Sequence, residues 1–232
     1  MFVHGWSCDR SDFSSQLGRW QVVRVDLAGH GSSGLERSDW TIASFGQDVA
    51  AVVGSLGLRR VVLVGHSMGG DVVLDAALRL RGLVCGIVWV DVYDRLGGGR
   101  SLEEVEERLA PFYASFGPAV EAFVRGLFAP SADPALVSRT VARMASAPPS
   151  IALPCLRAAW NAHTIVPGAL RELGLPVVSI SPADADCDLD SYGIEVVRMA
   201  GVRHFPHLEN PAEFNRVLSA IVSRWSSVPP RA

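Results

Sequence analysis

Apolar positions along the chain fall into two alternating kinds of segment. Short, β-branched runs occupy Gln21 to Asp26, Arg60 to Val64, Val84 to Asp91, Pro176 to Ser181 and Ile194 to Met199, with "MFVH" at the very start, and their length predicts strands. Between them the spacing changes to that of a helix. Phe45, Val49, Val52, Val53 and Leu56 mark one face of Thr41 to Leu56, and Phe214, Val217, Leu218, Ile221, Val222 and Trp225 mark one face of Pro211 to Trp225. Asn210 with Glu213 forms an N-cap pair for the second of these helices, and Pro211 suits its first turn. Strands alternating with helices predict an α/β protein whose mostly parallel sheet is covered on both faces.

The alternation breaks between residues 95 and 164, where helical patterns follow one another without a strand. "GGGRSLEEVEERL" opens a helix through a Ser101–Glu104 capping box, and "AVEAFVRGLF" and "ALVSRTVARM" are amphipathic, with "PPS" near residue 149 as punctuation. This segment is expected to be a helical lid over one edge of the sheet, inserted into a core formed by residues 1–94 and 165–232. The closing "SSVPPRA" is expected to fray.

Composition narrows the partners. With 232 residues, 49% of them hydrophobic and 19% charged, the chain can bury one sizeable core. A net charge of -3 and a pI near 6.1 give no basic footprint for nucleic acid or an anionic membrane, so a small-molecule partner is expected. Cys8, Cys85, Cys155 and Cys187 are scattered without C-x-x-C spacing and are expected to be reduced thiols. No signal peptide and no run of 18 apolar residues is present, which predicts a cytoplasmic protein.

The stretch with chemical content is "VVLVGHSMGGDVVL", residues 61–74. A β-branched strand runs into Gly65, His66, Ser67, Met68 and Gly69, and helical spacing resumes at Val72, Val73, Ala76 and Ala77. That is a G-x-S-x-G turn between strand and helix, which presents a serine hydroxyl at the carboxyl edge of a sheet. An ordinary connection with a serine cap would read alike, so the rest of the chain has to decide. A serine nucleophile needs a base, and the base needs an orienting acid. "GVRHFPHLENP" supplies His204 directly after the last strand, whereas His207 lies nearer the following helix and reads as structural. An oxyanion pocket needs aimed backbone N–H groups. Met68, after the serine, and Trp6, in the turn of "FVHGWSCD", are the candidate donors. "DLAGHGSSG" contains Gly29, Gly31 and Gly34 in a G-x-G-x-x-G, but no helix opens at the third glycine, so it reads as a loop near the site with His30 structural.

"VHGW", "DLAGHGSSG", "VGHSMGG" and "HFPHLENPAEFN", in that order from residue 3 to residue 215, resemble the α/β-hydrolase family in its lid-bearing esterase and lipase branch. The resemblance implies that fold, with Ser67 as nucleophile, His204 as base, Trp6 and Met68 as oxyanion donors, and no metal or organic cofactor. It implies a serine hydrolase of a small, fairly apolar ester or related acyl compound. Lactonases, thioesterases, C–C hydrolases, cofactor-free haloperoxidases and non-catalytic ligand receptors on the same fold remain alternatives. The acid departs from the usual pattern. The loop "SISPADADCDLDSYG" lacks the family's glycine and offers Asp184, Asp186, Asp188 and Asp190, while "GIVWVDVYD" places Asp91 at the end of a buried strand. A carboxylate leaving such a strand needs a partner, and an imidazole N–H would serve. Asp91 is therefore favoured, with Asp184 and then Asp186 as alternatives. Family members also carry strands ahead of the "HG" turn, so the resemblance implies either a start assigned too late or a truncated domain, the latter with an open sheet edge.

Overall fold

The computed structural model describes residues 1–16, 20–92, 96, 100–161 and 166–226. The expected limits of the insertion, at residues 95 and 164, and the tail beyond Ser226 lie outside them.

Six strands form one parallel sheet: β1 (Phe2–Val3), β2 (Arg24–Val25), β3 (Val61–His66), β4 (Val84–Val90), β5 (Val177–Pro182) and β6 (Glu195–Met199). Their order is β2-β1-β3-β4-β5-β6, and every neighbouring pair is parallel. The crossovers from β2 to β3, β3 to β4 and β4 to β5 carry α-helices, and those from β1 to β2 and β5 to β6 carry a short 3-10 turn each. In chain order these are α1 (Ile42–Ser55), α2 (Met68–Arg79), α3 (Leu102–Ala114), α4 (Phe116–Gly126), α5 (Pro134–Ala145), α6 (Pro149–Asn161), α7 (Val166–Leu173), α8 (Pro206–Glu209) and α9 (Pro211–Ser226).

The period of two along the central strands divides the core between two faces. Leu63, Ile87 and Trp89 point to one, where Phe45, Val49 and Val53 of α1 and Val72, Val73 and Ala76 of α2 cover them. Val64, Val88, Val90, Val178 and Ile180 point to the other, against Phe214, Val217, Leu218, Ile221 and Val222 of α9. Each such side chain contributes about 1.5–3 kcal/mol on burial. The periodicity read in the sequence is thus the core itself.

Caps follow the sequence. Thr41 Oγ1 accepts the Ser44 N–H, Asn210 accepts that of Glu213, and Ser101 and Glu104 form both bonds of the capping box. Two expectations differ. The strand expected over Gln21 to Asp26 pairs only at Arg24–Val25, half-buried at the sheet edge. In "PPS", Pro148 separates α5 from α6 while Pro149 and Ser150 already belong to the first turn of α6, where proline's missing N–H has no intrahelical acceptor to lose. Among the described residues five helices, α3 to α7, run between β4 and β5. The four cysteines are unpaired, with Cys8 and Cys155 buried. Among the described residues no helix is long and apolar enough to cross a membrane, and no cluster of three or more His, Cys, Asp or Glu could hold a metal ion.

Candidate active site

The carboxyl ends of β3, β4 and β6 converge on one cavity. β3 ends at His66 and α2 begins at Met68, so Ser67 alone makes the turn, at φ 50° and ψ −125°. A residue with a side chain adopts this region at a cost of about 1–3 kcal/mol, supplied by the surrounding structure. The turn closes so tightly that a Cβ on Gly65 would stand 2.3 Å from Gly69 O, and one on Gly69 would stand 2.4 Å from Val3 O. Only glycine fits at either place. Ser67 occupies the N-cap position of α2 but makes no side-chain capping bond, unlike Thr41 and Ser101. The ordinary-cap reading of this serine is therefore not what its side chain does.

Asp91 follows the last residue of β4 and, like Ser67 and like Ser7 beside Trp6, is a non-glycine residue held at positive φ, at 47°. Its N–H donates to Ile180 O at 3.0 Å, and the preceding Val90 carbonyl accepts the Ser67 N–H at 3.1 Å. One peptide of β4 thus anchors both turns. From this position Asp91 Oδ2 lies 2.7 Å from His204 Nδ1, with both side chains about one-fifth exposed. If Nδ1 donates, Nε2 is left with a lone pair. His204 is itself held by its backbone, its N–H donating to Leu127 O at 3.0 Å and its carbonyl accepting from His66 Nε2 at 2.8 Å.

Asp184 and Asp186 are exposed in the loop after β5, and Asp188 accepts the Leu96 N–H at 2.9 Å. None of these contacts involves His204. His207, three residues on, is fully buried in α8 and stacks on Phe13, centroids 4.7 Å apart at 23°. Burial, with His204 and Arg143 adding to it, pushes its pKa down to about 3. His30 is buried too, its Nδ1 donating to Ala28 O at 3.0 Å.

The cavity measures about 140 Å³ and is lined at the sheet edge by Ser67, Met68, His204 and Trp6. Phe123, Leu127, Met144, Leu156 and Trp160 close it from the inserted helices, and Asp71 and Arg100 add one charge of each sign. Trp6 stands in the turn after β1, 4% exposed, its indole donating to Ala152 O at 2.7 Å and meeting Phe112, Phe116 and Phe123 edge-on. Met68 opens α2, where helix geometry leaves backbone N–H groups without intrahelical acceptors. A larger hollow, about 290 Å³, lies between α9 and the amino ends of β3 and β4, away from Ser67.

The structure thus brings Ser67, His204, Asp91, Trp6 and Met68 to one place and leaves Asp184, Asp186 and His207 out of it. Sequence reasoning passed over His66, whose ring reaches His204, and Arg143 of α5, which ion-pairs with the buried Asp12 beyond the Trp6 turn. The only signal for His66 was its place beside Ser67.

Known proteins agree with this architecture. A "Non-heme haloperoxidase" of Rhodococcus erythropolis is 43% identical over 75 residues, a match that spans 30% of this chain and 27% of that protein. Among solved structures, a thermophilic esterase from Thermogutta terrifontis superposes with a TM-score of 0.82 at 22% identity, covering 97% of this chain and 89% of its own. A putative aryl esterase from Burkholderia cenocepacia does so at 0.80 and 25% identity, covering 98% and 90%. The sequence profile of the Alpha/beta hydrolase family matches residues 1–217, and the chain belongs to that family.

Proposed function

We propose that the protein is a serine hydrolase of small, fairly apolar esters or related acyl compounds. The observation that carries this reading is the 2.7 Å contact of Asp91 with His204 at the mouth of a cavity that Ser67 also lines. Asp91 accepts the Nδ1 proton and holds the tautomer in which Nε2 is a base. His204 Nε2 takes the Ser67 hydroxyl proton as Oγ attacks the substrate carbonyl carbon. The Trp6 and Met68 N–H groups receive the oxyanion. The tetrahedral intermediate collapses, the leaving alkoxide takes the proton from His204, and an acyl-serine remains. Water then attacks that ester while His204 accepts its proton, and the acid leaves with Ser67 restored. No step calls for a metal or organic cofactor.

The inserted helices act as a lid whose apolar wall receives the substrate. A cavity of about 150 Å³ holds a benzene-sized group, so 140 Å³ favours short or compact acyl groups over long chains. The match to a haloperoxidase favours a second reading on the same residues, in which hydrogen peroxide replaces water on the acyl-serine and releases a peracid. Fluorophosphonate labelling together with turnover of short p-nitrophenyl esters tests the proposal. Labelling confined to Ser67 with turnover is expected. Labelling without turnover would favour a ligand receptor, and turnover that survives complete labelling would remove Ser67 from the chemistry. Bromination of an indicator dye with acetate, hydrogen peroxide and bromide, which the released peracid oxidises to hypobromous acid, tests the second reading.

A further inference from the structure

We infer that His66 is a positioning residue that registers His204 against Ser67. The proposal rests on the hydrolase reading above. Ser67 and His204 belong to different strand ends, yet their relative placement must be held within a fraction of an ångström for proton transfer; a 1 Å displacement costs about 10²-fold in rate. His66 is covalently next to Ser67, and its Nε2 lies 2.8 Å from the His204 carbonyl oxygen. A carbonyl only accepts, so Nε2 carries the proton and the backbone of the base is tied to the neighbour of the nucleophile.

Packing alone does not account for an imidazole at this position. His66 is 1% exposed, wedged between the rings of His204, Phe205 and His207 at centroid distances of 4.8, 5.1 and 4.6 Å. Its Nδ1 has no hydrogen-bond partner among the described residues. A buried acceptor left unpaired costs about 1–3 kcal/mol, which a phenylalanine of similar shape would avoid. What phenylalanine lacks is the Nε2 donor. Burial and the adjacent His207 and His204 keep the ring neutral by holding its pKa well below the ordinary histidine value, so it carries a single N–H. The opposite edge of the ring faces the Trp6 turn, where only glycine leaves room for it: a Cβ on Gly5 would lie 2.9 Å from His66 Nδ1 and 3.1 Å from Ser67 Cβ. One residue, covalently next to the nucleophile, therefore faces the turn of the oxyanion donor and bonds the backbone of the base.

The test compares His66→Phe, which keeps a ring without the donor, with His66→Gln, whose amide nitrogen reaches the Nε2 position, and His66→Asn, whose amide falls short. Each is checked for folding by circular dichroism and assayed on p-nitrophenyl acetate. His66→Phe and His66→Asn should lose about 10²-fold in kcat with KM changed by less than about threefold, and their fluorophosphonate labelling of Ser67 should slow in parallel. His66→Gln should stay within about tenfold of wild type. A role in packing alone would lower the melting temperature and leave kcat per folded molecule unchanged. Folded His66→Phe with wild-type kcat would overturn the proposal; should that variant not fold, equal kcat in His66→Gln and His66→Asn would do the same. Wild-type protein that neither labels nor turns over would remove the hydrolase reading and this proposal with it, whereas active wild type with unaffected variants removes only the proposal.

Discussion

The two walls of the cavity are built by different means. On the sheet side, Ser67 in its single-residue turn and Asp91 just past the end of β4 are both held at positive φ, and the bonds that hold them come from the backbone of β4 and β5. On the opposite side, the inserted helices offer Phe123, Met144, Leu156 and Trp160, and side chains fix them in place. The Trp6 indole reaches Ala152 of α6, and Arg143 of α5 pairs with Asp12 and, at 3.6 Å, with Asp9. A strained turn keeps its geometry only where the backbone around it is over-determined, which a parallel sheet provides. A wall of side chains can change shape while the sheet stays put. Under the proposed function, chemistry belongs to the sheet edge and substrate choice to the helices.

The largest expected effect tests the chemical half of that contrast. Ser67→Ala should lower kcat by roughly 10⁶-fold while leaving the melting temperature within a few degrees, because the hydroxyl makes no capping bond that the fold would miss. A variant retaining a tenth of wild-type turnover, free of contaminating esterase, would place the nucleophile elsewhere. Next comes the acid. Asp91→Asn keeps the shape but favours the wrong imidazole tautomer, at a cost of about 10⁴-fold in kcat. Asp184→Asn, in an exposed loop, should leave kcat nearly unchanged. Comparable losses in the two would dissolve the assignment.

Much of the sheet edge was legible because its features are local. The strand, the two close-packed glycines and the resumption of helical spacing around Ser67 all lie within fourteen consecutive residues, and His204 follows its strand directly. The acid was harder, since one strand end and one acidic loop both offered carboxylates. What separates them is the register of β4 against β3 and β5, Val90 opposite both His66 and Ile180, which sets Asp91 beside the Ser67 turn. Register between strands far apart in sequence leaves no mark on either one. His66 was missed for the same reason, as its bond to His204 spans 138 positions. On the helical side the pattern predicted three of the inserted helices and the cap of the first, whereas the pairing of Arg143 with Asp12 depends on how α5 docks.

That docking gives the third expectation. Asp12 has a side chain 2% exposed and Arg143 one 28% exposed, so Arg143→Met leaves a buried carboxylate without its cation. Loss of one partner of a buried pair costs about 3–5 kcal/mol, and the partial exposure of the arginine places this case near the lower figure. Urea unfolding should show the loss, and turnover per folded molecule should fall far less than in Ser67→Ala. If Arg143→Met were as inactive as Ser67→Ala while fully folded, the division of labour between the two walls would be wrong.

The smallest effect lies within the sheet edge itself, where the contrast recurs over four residues. His204 is part-exposed and paired with a carboxylate, whereas His207 is fully buried, and neither of its ring nitrogens has a partner among the described residues. In the unfolded chain His207 titrates near 6.5, but burial pushes it down to about 3 in the fold. Between those values the unfolded chain binds a proton that the folded one refuses, so stability falls as pH drops through 6.5 and levels off near 3. Over the interval from 6.5 to pH 5 this amounts to about 2 kcal/mol, at roughly 1.4 kcal/mol per unit. His207→Phe keeps the stacking on Phe13 and removes the titration. Relative to wild type, it should therefore be about 2 kcal/mol more favourable at pH 5 than at pH 8 by urea unfolding, with esterase activity retained. A stability difference that stays constant across that range would mean His207 finds a proton partner in the folded state. Loss of turnover in the folded variant would move it from the bed of the site into the chemistry.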